Sequence, residues 1–222
     1  MNWWAPILCL VVGYGFGLIP TGLIVGKLYN VDLRNTGSHN TGMTNAMRSV
    51  GLVGGLITFI GDMAKCWIAV AICVNILAPY LPGHEFIIVL LTGLGTTLGH
   101  NFPFYMNFKG GKGIAVAGAL YIALSFYGGW MIFVISILTF LVVAILTKYV
   151  SLGSLVALTV VFITTILFGQ LDMVEGLLPE DRIYAYFITA ILVVLAFIMH
   201  RENIKRLING NENKFSIRKE DK

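Results

Sequence analysis

The segment with the clearest chemical potential is Lys109-Gly110-Gly111-Lys112-Gly113, which stands directly before an apolar run. Glycine lets backbone N–H groups turn inward with no Cβ in the way. A helix start that follows adds free N–H groups and a positive dipole end. Lys112 adds a full positive charge, so Gly110, Gly111, Gly113 and Lys112 together suit a phosphate. The segment is not a Walker loop, because Met106 occupies the place of its first glycine and Gly113 that of its Ser or Thr. A flexible basic turn at a membrane surface has the same composition, and from these residues alone both readings stand.

Residues 36–48 are unusually rich in uncharged hydrogen-bonding groups. Ser38, Asn40, Thr44 and Asn45 can orient a polar ligand, and Arg48 can hold a phosphate through a bidentate fork. A solvated loop with helix-capping residues would look the same. Further along, Tyr149-Val150-Ser151 and 200–206 are also polar. His200 and Asn203 are three apart and share a face on a continuing helix. Histidine can bind phosphate or act as a general base, or simply sit at a membrane interface; His100 carries the same ambiguity. Asp62 and Lys65 lie inside an apolar segment, where charges pair or face a polar interior. Their spacing fits an ion pair or a substrate contact equally well. The four histidines and three cysteines have no metal-ligand spacing, and no metal or cofactor is expected.

The elements that must position these residues follow from composition. The chain has 222 residues, 57% hydrophobic and only 12% charged, against roughly 25% charged in a soluble domain. Mean hydropathy is +0.84. This excludes an ordinary soluble domain and a disordered chain. A spanning helix needs about 20 mostly apolar residues. Candidate spans are 3–27, 53–78, 85–100, 130–147, 152–170 and 183–200, with a shorter run at 114–126 set apart by Gly128-Gly129. The expectation is therefore an all-α, polytopic membrane protein with seven transmembrane helices in one domain over 1–222. Pro20 is expected to kink the first span, and 209–222 forms a polar tail.

Sidedness follows from Lys and Arg. The first, third and fifth connections carry Arg34 and Arg48, Lys109 and Lys112, and Lys148, and the tail carries seven more. The second and fourth connections carry none, and the sixth is acidic apart from Arg182. The positive-inside rule puts the basic connections in the cytoplasm, the N-terminus outside and the C-terminus inside. The net charge of +4 is then a membrane signature, and no nucleic acid is expected. The first Lys is Lys27, beyond the first apolar run, which does not fit a cleaved signal peptide. All four polar stretches face the cytoplasm. A transporter of organic phosphates would spread polar groups through its spans.

Taken in order, these blocks resemble the bacterial acyl-phosphate:glycerol-3-phosphate acyltransferase family. The resemblance rests on Gly37-Ser38 with Asn40 and 42–48, on Gly99-His100 with Phe102-Pro103, on 108–113, on Tyr149-Val150-Ser151-Leu152, and on 200–207. It covers nearly the whole chain. It implies transfer of a fatty acyl group from acyl phosphate to the 1-hydroxyl of glycerol 3-phosphate, giving lysophosphatidic acid and phosphate. It further implies a bacterial inner-membrane location, contact with membrane lipid, and a functional link to the enzyme that forms acyl phosphate. Carried over by motif, Ser38, Lys112, His200 and Asn203 are the expected catalytic residues. Asn40, Asn45, Arg48, Gly110, Gly111, Gly113 and Ser151 are the expected substrate-binding residues.

Three positions depart from the family pattern: His39 and Cys66 stand where glycine is common, and Leu18 where serine is frequent. His39 puts a side chain into a tight loop. Five residues after the four histidines come Thr44, Val89, Tyr105 and Lys205, so the His-x4-Asp acyltransferase pattern is absent. No serine or cysteine has the glycine-flanked elbow of a hydrolase nucleophile. Since acyl phosphate is already activated, direct attack without an acyl-enzyme is expected.

Overall fold

The computed structural model describes residues 4–214, and among these every regular element is helical. The helices are α1 (Trp4–Gly17), α2 (Thr21–Leu28), α3 (Met43–Leu77), α4 (Glu85–Asn101), α5 (Ile114–Leu124), α6 (Trp130–Thr147), α7 (Val150–Gln170), α8 (Arg182–Met199) and α9 (Arg201–Ile208). The last eight residues of the expected tail, 215–222, lie outside the described residues, as does the start of the first expected span.

Six helical stretches are long and apolar enough to cross a membrane: Trp4–Leu28, Met43–Leu77, Glu85–Met106, Ile114–Thr147, Val150–Gln170 and Pro179–Met199. This is one fewer than the seven expected. The difference lies in Ile114–Thr147, where α5 and α6 are joined by a π-helical turn, Ser125–Gly129. Tyr127 and Gly128 leave helical geometry there, Gly128 with φ +88°. Helix α5 has 11 residues, about 16 Å at 1.5 Å per residue, which alone falls short of a hydrocarbon core of about 30 Å.

Helix α4 is the central element, with nearly every residue buried, packed against α1, α3, α5 and α8. Its tightest contact is with α1. Gly13 and Gly17 on α1 face Gly95 and Gly99 on α4, two small-xxx-small pairs in register. A Cβ on Gly17 would overlap the Thr96 carbonyl oxygen, and one on Gly99 that of Tyr14. Lipid does not drive apolar helices together, so close backbone packing must do so. Helix α6 stands at the periphery with Ile132 as its only buried residue, and it rests on α7. Trp130, Val134, Leu138, Leu141, Val142, Ile145 and Leu146 of α6 are exposed, as expected of a surface solvated by lipid.

The first span is broken at 18–20, ahead of Pro20, where α1 ends and α2 begins. The connections divide between the two ends of the bundle. At one end His84 meets Asp181 at 2.7 Å and Gly128 lies against Gly176. At the other end residues of the polar stretches gather around one main cavity.

Candidate active site

The cavity has a volume of about 200 Å³. Of the eleven expected site residues, nine line it: Ser38, Asn40, Asn45, Arg48, Lys112, Gly113, Ser151, His200 and Asn203. Gly110 and Gly111 do not. Their N–H groups donate to the carbonyls of Asn101 (2.9 Å) and His100 (3.0 Å), so neither is free for a ligand. A Cβ on Gly110 would overlap the His100 carbonyl oxygen, and one on Gly111 the His100 ring. These two glycines therefore serve close packing, which corrects the expectation that their N–H groups cradle a phosphate.

Helix starts also reach the cavity. Met43 begins α3, behind the N-cap Gly42 whose own N–H donates to Asn40 Oδ1 at 3.0 Å, Ile114 begins α5 behind Gly113, and Val150 with Ser151 begins α7; all line the cavity. None of these starts has a side-chain cap. The first-turn N–H groups of a helix lack intrahelical partners and carry a partial positive charge. Gly113 reaches its place with φ +78°, a left-handed conformation that favours glycine.

The loop before α3 is held by Asn45. Its Oδ1 accepts from the Ser38 N–H (2.8 Å), and its Nδ2 donates to the carbonyls of Leu33 (2.9 Å) and Thr36 (3.1 Å). Asn45 thus spends its amide on shaping the loop that presents Ser38. His39 takes φ +57°, which explains why glycine suits this position. Its Nδ1 donates to the Arg34 carbonyl (2.9 Å), and the loop closes with the histidine in place.

On the far wall, Lys112 Nζ donates to Asn203 Oδ1 at 2.6 Å. Asn203 Nδ2 donates to Glu212 Oε1 (2.6 Å), which also accepts from Ser151 Oγ (2.9 Å). Arg206 Nε donates to Glu212 Oε2 at 2.7 Å. Glu212 was not singled out in the sequence, and its only signal there was an acid in a basic tail. Burial works against its ionisation, but hydrogen bonds from Asn203, Arg206 and Ser151 outweigh this and hold its carboxyl below the usual range.

Charge accounting in the cavity is simple. Asp62 is neutralised by Lys65 (2.9 Å) and Glu212 by Arg206 (2.7 Å). Arg48 and Lys112 remain as lining cations with no ion-pair partner among the described residues. Burial, with Arg206 and Arg48 nearby, pushes Lys112 down to about 8, against the opposing pull of Glu212. Burial and then the charge of Lys112 push His200 down to about 4, so it is neutral at pH 7. Its Nδ1 lies 2.8 Å from the Ala196 carbonyl, which can only accept. The proton therefore sits on Nδ1, and Nε2 keeps its lone pair. Phe59 and Phe140 give the cavity an apolar wall.

The family profile described as glycerol-3-phosphate acyltransferase matches residues 7–210. The chain belongs to the glycerol-3-phosphate acyltransferase family. A family member from Thermotoga petrophila is 39% identical over 218 residues, covering 98% of each chain. Another, from Bacillus subtilis, is 36% identical, covering 93% of this chain and 96% of its own. Among solved structures, the glycerol 3-phosphate form of PlsY, an integral membrane glycerol 3-phosphate acyltransferase, superposes with a TM-score of 0.76. It is 30% identical, with 95% of this chain and 96% of that one covered. The lysophosphatidic acid form of PlsY superposes with a TM-score of 0.74 at 29% identity, covering 96% of each chain.

Proposed function

We propose that this chain is a membrane glycerol-3-phosphate acyltransferase. In this reading it moves an acyl group from acyl phosphate to the 1-hydroxyl of glycerol 3-phosphate, releasing lysophosphatidic acid and phosphate. The observation that carries this is the cavity's surplus of positive charge. Arg48, Lys112 and three uncapped helix starts converge beside an apolar wall. That combination suits two phosphate-bearing molecules, one with an acyl chain. Family membership supports the same reading.

In the proposed reaction the glycerol hydroxyl oxygen attacks the acyl carbonyl carbon, the bond to the phosphate oxygen breaks, and phosphate leaves. Lys112 and the start of α5 hold a phosphate, Arg48 and His200 bind glycerol 3-phosphate, and Ser38 and Asn203 orient the reacting groups. The protein contributes proximity and charge stabilisation. With a pKa of about 4, His200 is a weak proton acceptor at neutral pH. A substrate phosphate, with a second pKa of about 6, is the better one.

We also infer that Ile114–Thr147 enters the membrane twice, giving seven membrane segments in one domain. Ile114 and Val150 line the same cavity while Gly128 lies against Gly176, so the chain reverses near Gly128. In this reading the cavity faces the cytoplasm from a bacterial inner membrane and the N-terminus is outside; the positive-inside rule applied to the basic connections supports the sidedness.

The test uses purified protein in lipid with labelled glycerol 3-phosphate and either palmitoyl phosphate or palmitoyl-CoA. Lysophosphatidic acid formed from the acyl phosphate alone, and lost in Lys112→Ala, is the expected result. Product from palmitoyl-CoA at a comparable rate would overturn the donor assignment. Failure to form product from either donor, in folded protein, would overturn the activity.

A further inference from the structure

Behind the wall that carries Lys112 lies a second group of ionisable residues, buried and outside the chemistry described so far. Lys65 on α3 places its ammonium among three acceptors. These are Asp62 Oδ1 at 2.9 Å, His100 Nδ1 at 2.7 Å and the Ile19 carbonyl oxygen at 3.1 Å. An ammonium has three protons and only donates, so its hydrogen-bonding capacity is filled. His100 Nδ1 must then be an acceptor, and the ring proton sits on Nε2. Asp62 Oδ1 also accepts from Thr21 Oγ1 at the start of α2.

The partners of Lys65 come from three places. Ile19 lies in the break between α1 and α2, where its carbonyl leaves the α-helical ladder and also accepts from the Thr21 N–H at 3.1 Å. Asp62 is on α3, one turn before Lys65, and His100 is in the last turn of α4. His100 leads directly to the glycine loop. Its carbonyl accepts the Gly111 N–H at 3.0 Å, and its ring leaves no room for a side chain on Gly111. The next residue is Lys112. Asp62 and His100 also line the main cavity and a small second one of about 20 Å³ on their other side.

We propose that Lys65, Asp62 and His100 are positioning residues that act through the His100–Gly111 contact to set Lys112 against its phosphate. Charges inside an apolar helix are costly and are retained where they pair and have a role. An ion pair that only joined helices α3 and α4 would not need to reach the Ile19 carbonyl or brace the glycine loop. The trio ties the α1–α2 break, α3 and α4 to the single turn that delivers Lys112. This inference rests on Lys112 holding a phosphate, as proposed above.

The test is a double-mutant cycle read by binding, with a water-soluble short-chain acyl phosphate titrated calorimetrically, in the absence of glycerol 3-phosphate, into wild type, Lys65→Met, Lys112→Ala and the double variant in lipid. Lys65→Met alone is expected to weaken binding about tenfold or more, the scale of a lost hydrogen bond to a charged group. In the Lys112→Ala background the same change is expected to cost nothing further, because Lys65 acts only through Lys112. A general loosening of the fold would weaken both backgrounds equally, and that additive result would overturn the proposal. Unchanged affinity in Lys65→Met would do so as well. Unchanged affinity in Lys112→Ala would instead remove the phosphate assignment of Lys112 itself. Asp62→Asn, which keeps the shape, runs through the same cycle in parallel. Failure of both Asp62→Asn and Lys65→Met to fold would make the trio a stability element and overturn the positioning role.

Discussion

Lys112 and Asn203 are 91 residues apart in sequence, yet the lysine ammonium donates to the asparagine side-chain oxygen at 2.6 Å. The direction is fixed at both ends, because Asn203 turns its amide nitrogen to Glu212. This contact joins the glycine loop to α9, the short helix after the last span, and closes the cavity between them. It also ties the position of the Lys112 ammonium to a carboxylate two steps away.

Replacing Lys112 with alanine should lower kcat/KM about 10²-fold or more, the scale of a lost charged phosphate contact. The wild-type enzyme should also show a basic limb. Burial favours the neutral amine and places its pKa near 8, so phosphate binding weakens as pH rises through that value. Rates across pH 7–10 would show it, and Lys112→Arg should move the limb upward. A flat profile to pH 10 would argue against Lys112 as the phosphate cation.

Glu212 should behave as a latch. Glu212→Ala removes acceptors from Ser151, Asn203 and Arg206 at once, and should lower kcat/KM more than Ser151→Ala does. Ser151→Ala removes a single hydrogen bond to an ionised group, worth about 1.5–3 kcal/mol. The Glu212 carboxyl is held below its ordinary pKa. Its stabilising contribution is therefore present above the ordinary glutamate range and is lost as pH falls through the lowered folded value. Hydrogen exchange at 209–214 should stay slow through pH 5 in wild type and become fast in Glu212→Ala.

His200 should contribute no ionisation near neutrality. Its pKa of about 4 lies well below the ordinary histidine value of about 6.5. Once rates are referred to the dianion of the phosphate substrate, kcat/KM should be level between pH 5.5 and 7.5. A residual limb near 6.5 that disappears in His200→Gln would contradict a buried, neutral imidazole.

The α1–α4 seam should tolerate no side-chain growth. A Cβ on Gly99 overlaps the Tyr14 carbonyl oxygen, so Gly99→Val must part the two helices. Overpacking of this kind costs about 1–3 kcal/mol. Thermal unfolding in detergent should report a clearly lowered midpoint. Gly118→Ala, at a position with open space around it, should leave the midpoint unchanged.

The sequence alone determined what is locally encoded. Spans are legible because a backbone in lipid must satisfy its own hydrogen bonds within each apolar run. The polar blocks stand out because such groups are costly elsewhere in the membrane. That is why Arg48, Lys112, Ser151, His200 and Asn203 could be named before any contact was known, and why the family was recognisable from their order. Tertiary structure alone decided which groups spend their hydrogen bonds on one another. Gly110 and Gly111 offered free N–H groups in sequence but give them to the end of α4. Asn45 looked like a ligand-binding residue but spends its amide on its own loop. Glu212 carried no motif, yet it accepts from Ser151, 61 residues away. Partnerships of this range depend on how helices pack, and local composition holds no record of that distance.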